Sequence, residues 1–68
     1  MPSYYRNKNA QSNGDHEVHK ESCNFMPALG NRDYLGEFSS CHGAVEAARR
    51  KDPSADGCAY CSPACHTS

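Results

Sequence analysis

With 68 residues and a net charge of −1, the chain has room for one domain and carries no basic excess to support nonspecific nucleic-acid binding. Val18, Phe25, Leu29, Leu35, Phe38 and Val45 are its only Leu, Val and Phe residues, and Ile and Trp are absent, so a large aliphatic core is excluded. Five cysteines and four histidines are left to supply the staple that so small a chain needs.

The segment Met1–Asp15 is rich in Asn, Ser and Gln and has no hydrophobic period, which predicts a flexible N-terminal tail. The domain is then expected over residues 16–68. Tyr4, Tyr5, Arg6 and Lys8 combine stacking groups with cations, yet so few charges read as a solvated tail before they read as a phosphate-binding patch. The same segment lacks the apolar h-region of a secretory leader. The expected compartment is therefore the reducing cytoplasm, where thiols bind metal more often than they pair.

His16–Cys23 reads as a short strand or extended segment. Asn24–Asp33 contains Pro27, Gly30 and Asn31 and reads as a loop. Tyr34–Phe38 predicts a second strand, with Tyr34 and Phe38 on one face and Leu35 on the other. Gly36 marks a bulge or a close approach.

The helix that follows has the strongest local signal. Ser39 or Ser40 caps it, and Cys41, Ala44, Val45 and Ala48 recur on one face at helical spacing. Glu46 and Arg50 pair on the outer side, while Arg49, Arg50 and Lys51 complement the dipole in the last turn. Asp52 before Pro53 ends the helix. Ala55–Ser68 reads as a turn at Asp56-Gly57 followed by Cys-rich chain. The expected fold is α+β: an antiparallel hairpin or three-stranded element packed on one helix, with a Cys-rich C-terminal segment.

Two ligand pairs carry the chemistry. His19-x3-Cys23 precedes the strand–helix unit and Cys58-x2-Cys61 follows it. Two residues between thiolates let one turn present both sulfurs to one ion, and a tetrahedral zinc site draws one such pair from each of two segments. The expected ligands are therefore His19, Cys23, Cys58 and Cys61 around a structural Zn2+. His16, Cys65 and His66 stand in reserve for the less certain His19. Cys41 lies on the apolar helix face and is read as a buried small hydrophobe; His42 beside it should face solvent. The odd number of cysteines argues against a fully paired disulfide framework. Two alternatives remain open at this point. One is disulfides among Cys23, Cys58, Cys61 and Cys65; the other is a redox dithiol at Cys58/Cys61.

The order of these pieces resembles the metal-binding module of Ada-type DNA-repair proteins: His19-x3-Cys23, Gly36-Glu37-Phe38, the Ser-capped helix, then Cys58-Ala59-Tyr60-Cys61. The chain is also similar to small Cys/His-rich proteins of bacteria and their phages. Ada-type modules use four cysteines, one of which accepts a methyl group from a DNA phosphotriester; here His19 stands where that pattern begins with cysteine. The resemblance implies a noncatalytic zinc-stabilised module whose partner is nucleic acid or a nucleic-acid-processing protein. With no phosphate loop, substrate pocket motif or paired catalytic carboxylates, no enzyme activity is expected. No apolar stretch is long enough to cross a membrane, and a monomer is expected.

Overall fold

The structure is a computed structural model that describes residues 1–67. It is an α+β domain: a four-stranded mixed sheet with one helix packed on one face. The strands are β1 (Ser3–Asn7), β2 (His16–Lys20), β3 (Arg32–Glu37) and β4 (Ala55–Gly57), and the helix α1 is Cys41–Lys51. Across the sheet the order is β3-β1-β2-β4. β1 runs antiparallel to both β2 and β3, whereas β4 lies parallel to β2. No helix of the described residues is long and apolar enough to cross a membrane.

The expected N-terminal tail is replaced by a central strand. Ser3–Asn7 pairs with β2 on one side and β3 on the other, so it alone joins β3 to the rest of the sheet. Its inward side chains are not aliphatic, which is why no hydrophobic period marks them. Tyr4 is only 4% exposed and packs edge-on against Phe38. Arg6 pairs with Asp33 and with Asp52, 3.1 Å away, at the end of α1. Tyr4 is therefore core, not part of a stacking patch in a loose tail.

The β1–β3 register slips between Tyr4 and Tyr5, where Tyr4 faces Gly36 and Tyr5 faces Tyr34, leaving Leu35 as the extra residue of a bulge. Gly36 has φ +118°, a conformation open to glycine, and it sits at that bulge. The slip overturns the simple alternation expected for this strand. Leu35 and Phe38 both pack on the core, and Tyr34 is left on the exposed reverse face.

The helix begins and ends where its pattern places it. Cys41, Ala44, Val45 and Ala48 are its buried residues, and Arg49, Arg50 and Lys51 occupy its last turn. They meet Tyr4, Val18, Ala55 and Cys65 in the core. The Asp56-Gly57 turn expected after the helix is instead β4, three fully buried residues. Gly57 is required there because a Cβ would lie 2.7 Å from Cys65 Cβ and 2.8 Å from its carbonyl carbon. That approach seats the C-terminal segment against the sheet. Asp56 is held by Arg49 at 3.3 Å and by the Thr67 backbone N–H and hydroxyl.

Candidate metal centre

Two consecutive residues of β2 are buried for different reasons. Strand alternation turns Val18 under the helix and His19 to the reverse face, in register with Tyr5. His19 would be exposed there, but the turn after β2 and the segment after β4 fold over it, leaving it 1% exposed. Cys23 arrives on the first of these, fixed by its N–H donating to Lys20 O at 2.9 Å. Cys58 follows β4 directly, its N–H donating to Val18 O at 3.0 Å, and the Ser62 N–H closes the next turn onto Cys58 O. Cys61 lies within that turn.

The ligand atoms of His19, Cys23, Cys58 and Cys61 all lie within 4.8 Å of one another. His19 Nδ1 lies 3.4 Å from Cys23 Sγ, and Cys23 Sγ lies 3.9 Å from Cys58 Sγ. A tetrahedral ion with metal–sulfur bonds of ~2.3 Å and a metal–nitrogen bond of ~2.0 Å sets sulfurs about 3.8 Å apart, and nitrogen about 3.5 Å from sulfur. The observed separations match these. A disulfide requires ~2.05 Å between sulfurs, and these three thiols are not bonded to one another.

The surroundings fit a metal as well. The Lys20 N–H points at Cys61 Sγ over 3.3 Å and the Phe25 N–H at Cys23 Sγ over 3.4 Å, an arrangement that favours thiolate over thiol. The other ring nitrogen of His19, Nε2, is buried with no hydrogen-bond partner among the described residues. It faces the Glu17 carboxylate at 3.7 Å. A ligating imidazole keeps its second N–H for such a carboxylate, which fixes the ring. Glu17 was not singled out by sequence reasoning, although its i,i+2 spacing from His19 in a strand puts both on one face.

Without an ion the pocket is poorly suited to charge. Burial pushes the Cys23 thiol up to about 12, with the neighbouring Cys61 sulfur adding to the rise. Burial raises Cys58 likewise and lowers His19. Burial thus favours the neutral forms of Cys23, Cys58 and His19, and a bound cation would displace the thiol protons.

The remaining candidates are placed elsewhere. Cys41 is buried as expected, but it is bonded to Cys65, with their Cα atoms 6.2 Å apart. Both the packing-only role of Cys41 and the reserve-ligand role of Cys65 are thereby overturned, because the start of α1 faces the C-terminal turn across Gly57. The disulfide alternative likewise named the wrong partners: Cys23, Cys58 and Cys61 stay free. His66 Nδ1 is engaged by Gly57 O at 3.0 Å, and His16 Nδ1 by Asn7 O at 3.0 Å, so neither reaches the cluster. His42 is exposed.

The two cysteine turns also display aromatics. Phe25 and Tyr60 stack with ring centroids 4.3 Å apart and remain 55% and 75% exposed. They border a shallow cleft with Ser22, Cys23, Asn24 and Cys61. No family model, curated protein or solved structure matches the chain.

Proposed function

We propose that the chain is a noncatalytic binding module built around one structural zinc ion held by His19, Cys23, Cys58 and Cys61. The observation that carries this reading is the convergence of the four donor atoms within 4.8 Å at near-tetrahedral separations. Three thiolates and an imidazole are a soft donor set that suits Zn2+ over Mg2+ or Ca2+. Four protein ligands close the coordination sphere, which leaves no position for a reacting water. The ion's role is to join β2 to the C-terminal segment. A redox role for Cys58 and Cys61 is disfavoured by burial of Cys58 and by the upward pull on its thiol, since reactive cysteines carry lowered values.

The binding surface in this reading is the Phe25–Tyr60 stack, which the ion would hold rigid by fixing both turns that carry it. Exposed paired aromatics support a macromolecular partner, and the Ada-type element order makes that partner single-stranded nucleic acid or a protein that processes it. Thiolate ligands belong in a reducing compartment, so the reading places the chain in the cytoplasm, as a monomer whose Cys41–Cys65 bond is open to reduction there. Zinc content of protein purified without chelator, followed by titration with single-stranded oligonucleotides, tests it. One equivalent of zinc is expected, with binding weakened about fivefold or more by Phe25→Ala or Tyr60→Ala, at about 1–3 kcal/mol per stacked base. Metal-free folded protein contradicts the zinc assignment. Zinc-loaded protein that ignores the oligonucleotides contradicts the partner alone.

A further inference from the structure

We propose that Cys41, His42 and Cys65 are a second metal site, closed by the Cys41–Cys65 disulfide and opened by its reduction. The ligand atoms of these three residues lie within 4.8 Å of one another. They come from two segments, the first turn of α1 and the 3-10 turn Pro63–Cys65, so an ion there would tie the elements the disulfide now ties. As in the first cluster, sulfurs from two segments meet with an imidazole beside them; here both cysteines are buried and the imidazole is exposed. His42 differs from the other three histidines in one respect. His16, His19 and His66 each have a ring nitrogen near a carbonyl or sulfur, whereas His42 makes no hydrogen bond among the described residues.

The surroundings allow entry. A cleft of about 320 Å3 opens over the disulfide, lined by His42, Val45, Glu46, Arg49, Cys65 and Thr67 among others. Three protein donors leave one position of a tetrahedral ion vacant, and the cleft brings solvent to it. Glu46, one turn along the helix from His42, faces the same space.

The chemistry balances with a dithiol as reductant. Two electrons and two protons pass from the dithiol to the Cys41–Cys65 bond, giving two cysteine thiols and a disulfide of the reductant. A divalent soft ion then binds both sulfurs and His42 and releases the two thiol protons to water. The helix-to-terminus link is thus kept in both states, by sulfur–sulfur bonding in one and by metal in the other. The odd cysteine count follows: three thiols for a permanent centre and two for a convertible one.

The site is independent of the zinc centre of His19, because the quantity that tests it is the metal gained on reduction. Oxidised full-length protein, and the same protein reduced with a dithiol that is then removed under anaerobic conditions, are each saturated with Zn2+, desalted, and their metal contents compared. Reduction should add one equivalent to whatever the oxidised protein holds. His42→Ala, an exposed position that leaves the disulfide intact, should abolish the added equivalent and leave the oxidised content unchanged. In Co2+-loaded protein, reduction should add thiolate-to-cobalt charge-transfer absorption in the native chain and not in His42→Ala. No gain of metal on reduction would overturn the proposal, and so would a full gain in His42→Ala. A low content in oxidised protein with the gain intact would count against the first centre only.

Discussion

Two sulfur sites hold the same short stretch of chain from opposite sides. On the reverse face of the sheet, Cys58 and Cys61 join His19 and Cys23 in a cluster of free thiols and one imidazole. On the helix side, four residues further on, Cys65 is bonded to Cys41. Neither Cys58–Ser62 nor Pro63–Cys65 contains a Val, Leu, Ile or Met, so aliphatic packing does little to fix them. The difference lies in how many donors converge. At Cys41 and Cys65 two sulfurs face each other and have bonded, with only the exposed His42 beside them, whereas three sulfurs with a buried histidine and a carboxylate behind it offer four donors to one ion. The comparison teaches that identical side chains in one small domain are sorted by what the backbone brings beside them.

The largest effect should come from breaking the cluster. Cys58 is a proposed ligand and is only 1% exposed, so Cys58→Ser removes a soft donor and places a hydroxyl in a buried site. Structural zinc contributes roughly 10–16 kcal/mol in small modules, as much as the whole stability of a typical domain. Circular dichroism should show an unfolded chain. The disulfide side should matter less. Its loop spans a sequence separation of 24, for which chain entropy gives about 3 kcal/mol. Oxidised native protein should therefore melt well above the Cys41→Ala/Cys65→Ala double variant, which should still fold with metal bound. Equal damage from the two changes would erase the distinction between the sites.

A smaller change sharpens the account of the cluster. Glu17 faces His19 Nε2 at 3.7 Å, so Glu17→Ala should lower metal affinity by about tenfold to a hundredfold without unfolding the protein. Competition with a chromogenic chelator reads this directly. Unchanged affinity would remove Glu17 from the centre.

The smallest effect lies at neither site. The Ser54 hydroxyl and backbone, with the Arg6 guanidinium, hold the Asp52 carboxyl at about 2, below its ordinary 3.8. Its stabilisation is complete above pH ~4 and fades as acid takes the pH through about 2. Protonation of thiolate and imidazole ligands should release metal at a higher pH, giving an earlier step. Because loss of metal unfolds the chain, that step precedes titration of Asp52, so Asp52→Asn should leave its pH in place and lower the melting temperature of the metal-loaded protein at neutral pH. Acid titration followed by metal release and circular dichroism reads the first, and thermal melting at pH 7 reads the second.

How much of this was legible depended on the kind of signal. The helix face of Cys41, Ala44, Val45 and Ala48 was written in apolar spacing, and the structure buries all four. The ligand pairs were legible because metal coordination fixes short spacings within a turn; the structure brings all four residues together. β1 was hidden because its inward groups are a tyrosine and an arginine satisfied by Asp33 and Asp52, partners distant in sequence. β4 was hidden because Ala55-Asp56-Gly57 is small and turn-like, and only the approach of Cys65 and the buried partners of Asp56 make it a strand. The pairing of Cys41 with Cys65 depended on those same contacts, which no local spacing encodes.

The central claim is that a metal ion, with the disulfide in support, holds the fold. Far-ultraviolet circular dichroism in excess chelator, with and without reductant, tests it most directly. The account predicts that chelator alone unfolds the oxidised protein, that Zn2+ restores it, and that reductant alone in the presence of Zn2+ leaves it folded. A protein that keeps its structure in chelator and loses it only when reductant is added would contradict the account.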